Sequence, residues 1–145
     1  MREEKTEILL IEDNPADAEL TIHALKKSNL GKNVKVLRDG EEAIEYLFSA
    51  CPLPGTPGCP YLILLDLKLP KISGLEVLEK VRSDERTRMI PVVVLTSSAE
   101  EKDRIESYRL GVNSYIVKPV EFDSFANVVA QIGLYWVLLN RTPYS

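Results

Sequence analysis

Five short apolar runs punctuate the chain, each ending in polar or charged residues. They are Ile8-Leu-Leu-Ile11, Val34-Lys-Val-Leu37, Leu62 to Leu65, Pro91 to Leu95 and Ser114-Tyr-Ile-Val117. An aliphatic run without alternation is what a parallel strand covered on both faces requires, so the central runs read as buried strands. Between them the spacing changes to that of helices. Asn14 is a natural N-cap and Pro15 suits a first helical turn, which starts a helix that continues to about Ser28 and stops at Asn29-Leu-Gly31. A second helix carries Ala43, Ile44, Leu47 and Phe48 on one face, and a third carries Leu75, Leu78 and Val81. A highly charged fourth helix spans Ala99 to Leu110 and stops at Gly111, which fits a helix C-terminal glycine. The last helix begins near Glu121 and extends to about Asn140. Strand and helix alternate without a repeat or composition break. That alternation predicts an α/β fold with three layers, a parallel sheet and right-handed crossovers, as one domain over residues 1–145 with the first five flexible.

The strand ends hold the chemistry. The first apolar run finishes in Glu12-Asp13, the third in Asp66, the fourth in Thr96 and the fifth in Lys118-Pro119. In a parallel sheet these ends share one edge, where α/β proteins place ligands. Three carboxylates there repel one another. Lys118 offsets one charge, and Mg²⁺, which accepts few carboxylates with waters and phosphate oxygens, offsets the remainder. A carboxylate nucleophile beside a cation, an ammonium and a hydroxyl suits aspartyl phosphate formation. Lys118-Pro119 is a candidate cis peptide bond.

The motifs Ile11-Glu12-Asp13, Leu65-Asp66-Leu-Lys-Leu-Pro70 with Gly74, Leu95-Thr96-Ser97 and Tyr115-Ile-Val-Lys118-Pro119 together resemble the receiver domain of response regulators in two-component signalling. They span residues 8 to 119. The resemblance implies a flavodoxin-like (βα)5 sandwich with strand order 2-1-3-4-5 and Asp66 as phosphoacceptor. It implies Mg²⁺ held by Asp13, Asp66 and the Lys68 backbone carbonyl, with Glu12 assisting through water. Thr96 and Lys118 would bind the phosphoryl group, and Tyr115 would act as a rotating switch coupled to Thr96. Lys68 departs from the small or amide residue many receivers carry there; it either tunes phosphate lifetime or points to solvent. The loop before the third strand, the run Pro91 to Ser98 and the ending with Tyr135-Trp136 are similar to small regulators that serve phytochrome-type sensor histidine kinases.

Bulk properties narrow the rest. Apolar residues make up 45% and charged residues 28% of 145 residues, with a net charge of −4. That balance argues against nucleic-acid and membrane partners. No signal region opens the chain, so a cytoplasmic protein is expected. In that reducing compartment Cys51 and Cys59 are expected as free thiols. His23, among polar neighbours, reads as a solvated surface residue. On the last helix, Phe122, Phe125, Val129, Ile132 and Trp136 form a core stripe. A second stripe of Val128, Gln131, Tyr135 and Leu138 exceeds what one surface helix buries, and predicts a homodimer through helix four, strand five and helix five. Two other functions compete: a Mg²⁺-dependent phosphohydrolase, which would need an acid where Lys68 stands, and a phosphorylation-independent interaction module.

Overall fold

The computed structural model describes residues 8–27, 29, 33–54, 56, 58–118, 121–141 and 143, with the side chains of Phe122, Val137 and Leu138 outside that description. Strands β1 (Ile8–Ile11), β2 (Val34–Leu37), β3 (Leu62–Leu65), β4 (Val92–Thr96) and β5 (Ser114–Val117) alternate with helices α1 (Pro15–Lys27), α2 (Gly40–Ala50), α3 (Gly74–Ser83), α4 (Glu101–Arg109) and α5 (Phe122–Gly133). The five strands form one parallel sheet in the order β2-β1-β3-β4-β5.

Successive strand residues face opposite sides, and each side is covered. Leu9, Ile11, Ile63, Leu65, Val92 and Val94 pack with Ala43 and Leu47 of α2 and Val77, Leu78 and Val81 of α3. Ile8, Leu10, Leu62, Leu64, Val93 and Leu95 pack with Ala18 and Leu25 of α1 and Phe125, Val129 and Ile132 of α5. Burial on both faces is why β1, β3 and β4 needed no polar alternation, whereas the edge strands β2 and β5 are only partly buried. Asn14 caps α1 as expected, its Oδ1 accepting from the N–H groups of Ala16 and Asp17. Gly111 follows α4 with φ +97°, a left-handed conformation that favours glycine.

Two expectations change. Cys51 and Cys59 form a disulfide, with Cα atoms 4.9 Å apart, and no cysteine is free. The free-thiol expectation rested on compartment, whereas the deciding factor is local geometry. Cys51 is the C-cap of α2, its N–H donating to the Leu47 carbonyl. The following loop turns back on itself, with Cys59 N–H donating to the Thr56 carbonyl and the Thr56 hydroxyl to the Leu53 carbonyl, and that reversal returns Cys59 to the helix end. The last helix also changes pitch. After Gly133 it continues as a π-helical turn, Leu134–Leu139, ended by Asn140 N–H donating to the Tyr135 carbonyl. Apolar spacing alone carried no sign of that widening. Among the described residues no helix is long and apolar enough to cross a membrane.

Candidate functional site

Main-chain pairing continues one residue past the strands and sets the site's frame. Glu12 N–H donates to the Leu37 carbonyl, Asp66 N–H to the Ile11 carbonyl and Lys118 N–H to the Thr96 carbonyl. The backbones of Glu12, Asp66 and Lys118 are therefore fixed by the ladder, and their side chains emerge together at one rim of the sheet. The loop after Asp66 is held by Gly74, where a Cβ would lie 2.3 Å from the Asp66 carbonyl oxygen and 2.5 Å from Leu67 Cα. Only glycine lets α3 begin that close.

Both oxygens of the buried Asp66 carboxylate are engaged. Oδ1 accepts from the Thr96 hydroxyl at 3.0 Å and the Lys68 N–H at 3.1 Å. Oδ2 accepts from Lys118 Nζ at 2.9 Å. Lys118 reaches across the end of β4, its side chain only 8% exposed, and also pairs with Glu12. Glu12, Asp13 and Asp66 each place a carboxylate oxygen within 4.8 Å of the others, Asp13 exposed and the other two buried.

Charge crowding shifts the acid–base balance of these groups. Burial, then hydrogen bonding with Asp66, pushes Glu12 up to about 8, against the pull of Lys118. Burial also raises Asp66, but hydrogen bonds from Glu12 and Lys118 outweigh it and hold Asp66 below the usual carboxylate range. Desolvation lowers Lys118, yet its pairing with Glu12, Asp17 and Asp66 leaves it above the ordinary lysine value. One ammonium does not neutralise this many acids. An all-oxygen set with surplus negative charge fits a hard divalent cation such as Mg²⁺, which would favour the ionised form of Glu12.

The sequence-derived residues thus converge: Glu12, Asp13, Asp66, Thr96 and Lys118 meet at one rim. Lys68 contributes its backbone there while its side chain is exposed. Tyr115 is half-buried, and its hydroxyl donates to the Ser98 carbonyl at 2.9 Å. Ser98 N–H in turn donates to Thr96 Oγ1 at 3.3 Å, so hydrogen bonds to Ser98 join Tyr115 and Thr96. His23 is exposed on α1, as expected. Pro119 lies outside the described residues, and so does the side chain of Leu138. Val128 packs partly on the core, and Tyr135 is half exposed.

Two participants escaped the sequence reading. Asp17 bonds Lys118 Nζ at 2.9 Å; its signal was an acid four residues past Asp13, in the first turn of the following helix. Ser98 is buried, and its Oγ donates to Asp103 Oδ2 at 2.6 Å and accepts from Glu100 N–H at 3.3 Å. A serine two residues past Thr96 carries no periodicity that sets it apart.

Residues 8–130 match the family described as the response regulator receiver domain. The chain is 42% identical to the probable methanogenesis regulatory protein FilR2 of Methanothrix harundinacea, over 94% of this chain and 86% of that protein. It is 41% identical to response regulator Rcp1 of Synechocystis sp., over 90% of this chain and 88% of that protein. The Mn²⁺-bound form of Rcp1 aligns with a TM-score of 0.84 at 39% identity, covering 95% of this chain and 99% of that one. The phosphorylated cyanobacterial phytochrome response regulator RcpA aligns with a TM-score of 0.86 at 39% identity, covering 97% and 99%. With the strand order, the acidic cluster and this coverage in agreement, the chain belongs to the response regulator receiver family.

Proposed function

We propose that Asp66 is the phosphoacceptor of a two-component relay and takes its phosphoryl group from the histidine of a sensor kinase. The observation that carries this is the engagement of both Asp66 oxygens by Thr96, the Lys68 N–H and Lys118, with two more acids at the same rim. One Asp66 oxygen attacks phosphorus, a P–O bond forms as the P–N bond breaks, and the imidazole nitrogen keeps the electron pair and takes up a proton. Lys118 and the Thr96 hydroxyl then each take a phosphoryl oxygen. Asp13, Asp66 and the Lys68 carbonyl, with Glu12 through water, would hold Mg²⁺, which when bound neutralises the crowded oxygens. The similarity to RcpA, a cyanobacterial phytochrome response regulator, supports a phytochrome-type sensor as donor. Beyond that transfer, self-phosphorylation by small phosphodonors and slow hydrolysis are the only covalent steps assigned. The exposed Lys68 side chain sits where a phosphohydrolase would need an acid, which disfavours turnover of phosphate esters.

Occupancy of Asp66 draws Thr96 inward, and Ser98 passes the change to Tyr115 and α4. The output is protein binding by the α4-β5-α5 surface, most simply as a homodimer, in the cytoplasm and without nucleic acid or membrane. A groove of about 630 Å³ lined by Ile116, Val128, Tyr135 and Trp136 supports that face as the contact. A concentration-independent monomer in sedimentation, with and without a phosphate mimic, would remove the dimer. Residues 1–145 are read as one receiver domain.

Incubation with acetyl phosphate and Mg²⁺ should add one phosphoryl mass to the intact protein and none to Asp66→Asn. A label retained in that variant refutes the assignment. A changed decay half-life in Lys68→Asn would show that Lys68 sets phosphate lifetime; an unchanged one leaves it pointing to solvent.

A further inference from the structure

An ammonium offers three N–H donors, and those of Lys118 go to three carboxylates: Glu12, Asp17 and Asp66. Two of these acids have a second allegiance. Glu12 and Asp66 belong to the group, with Asp13, whose oxygens gather within 4.8 Å. Asp17 does not. It approaches Nζ at 2.9 Å from the first turn of α1.

That turn is fixed on both sides. Asn14 Oδ1 accepts from Asp17 N–H at 3.2 Å, and the Asp17 carbonyl accepts from the buried Thr21 hydroxyl at 2.7 Å. Its side chain is 30% exposed, yet it is placed against a lysine whose side chain is only 8% exposed. A surface acid in a helix's first turn would serve the dipole alone; this one is aimed at the site.

We propose that Asp17 is a positioning residue that holds the Lys118 ammonium beside Asp66 when a divalent cation occupies the neighbouring carboxylates. The inference rests on the reading of this rim as a cation-dependent phosphoacceptor site. A doubly charged ion draws on the same lone pairs of Glu12 and Asp66 that bind Nζ, and repels the ammonium directly. Asp17, outside the cation's set, keeps its whole charge for Lys118. Without it, the flexible lysine stem swings toward solvent, away from the oxygen it must meet.

The test uses the full chain as wild type, Asp17→Ala and Asp17→Glu. The ¹H–¹⁵N signal of the Lys118 ammonium, assigned by its loss in Lys118→Arg, is recorded with and without saturating Mg²⁺. Wild type should keep the signal in both states, whereas Asp17→Ala should keep it without Mg²⁺ and lose it with Mg²⁺. Phosphorylation by acetyl phosphate should slow about tenfold in Asp17→Ala and recover to within about threefold of wild type in Asp17→Glu. Mg²⁺ affinity in Asp17→Ala should stay within about threefold of wild type, since Asp17 is not a ligand. A signal that survives Mg²⁺ in Asp17→Ala, or an unchanged rate, overturns the proposal. So does a signal lost in that variant without Mg²⁺, which would mark a merely structural tether. If the wild type takes no label, the phosphoacceptor reading falls instead, and the ammonium signal still decides whether Asp17 positions Lys118.

Discussion

Helices α3 and α4 cover the same side of the sheet but are attached by opposite means. α3 buries Val77, Leu78 and Val81 in the core, and its N-terminus is capped by Ser73 Oγ. Its far end is braced by Arg82, which donates to the carbonyls of Gly111, Arg88 and Ile90 and to Asn113 Oδ1. α4 buries only Ser107, and its N-cap residue Glu100 makes no side-chain cap. Ile105 and Tyr108 on it are 56% and 53% exposed. What fixes its start is polar: Ser98 Oγ between Glu100 N–H and the Asp103 carboxylate. Apolar burial is not undone by moving one hydrogen bond, whereas a polar latch is. The molecule therefore anchors one helix by apolar burial and the next by a few polar contacts, the kind of attachment that opens more easily.

The largest effect should fall on the anchored side. Leu78→Ala removes a fully buried side chain from the α3 contact and should lower unfolding free energy by about 3 kcal/mol in denaturant titration. A loss below about 1 kcal/mol would mean α3 is no better anchored than α4. Reduction of the Cys51–Cys59 disulfide, which ends in the same core cluster, comes next. A loop with a sequence separation of 8 predicts a loss of about 2–3 kcal/mol, read as a fall in Tm with reductant that is absent in the double Cys→Ser variant. On the tethered side, Ser98→Ala should lower local protection of the α4 amides by about 1 kcal/mol in hydrogen exchange while the α3 amides keep theirs. Equal loosening of both helices would erase the distinction. Ile105→Ala should be smallest, within about 0.5 kcal/mol by the same titration, because the side chain is already in water.

The contrast also marks what the sequence made legible. Strand runs such as Leu62 to Leu65 could be read because burial on both faces imposes one simple pattern. The rim residues Glu12, Asp66, Thr96 and Lys118 followed from it, since a parallel sheet gathers strand ends whatever their separation along the chain. The pairing of Asp17 with Lys118 was not legible, as it depends on how a long side chain crosses β4. The polar hold of Ser98 on α4 was hidden for a related reason: hydroxyl contacts leave no periodicity. The disulfide was missed because a compartment argument was given priority over the turn that returns Cys59 to Cys51. The π-helical turn at Leu134–Leu139 has the same apolar composition as an ordinary helix end.

The main-chain bonds that carry Glu12, Asp66 and Lys118 one step past the strands ask nothing of those side chains. Architecture and reactivity are thus written in different parts of the same residues. A descendant that exchanged the acid at position 66 for an amide would inherit the scaffold and the latch intact. The proposed phosphoacceptor role of Asp66 can therefore be removed while the main-chain frame stays in place.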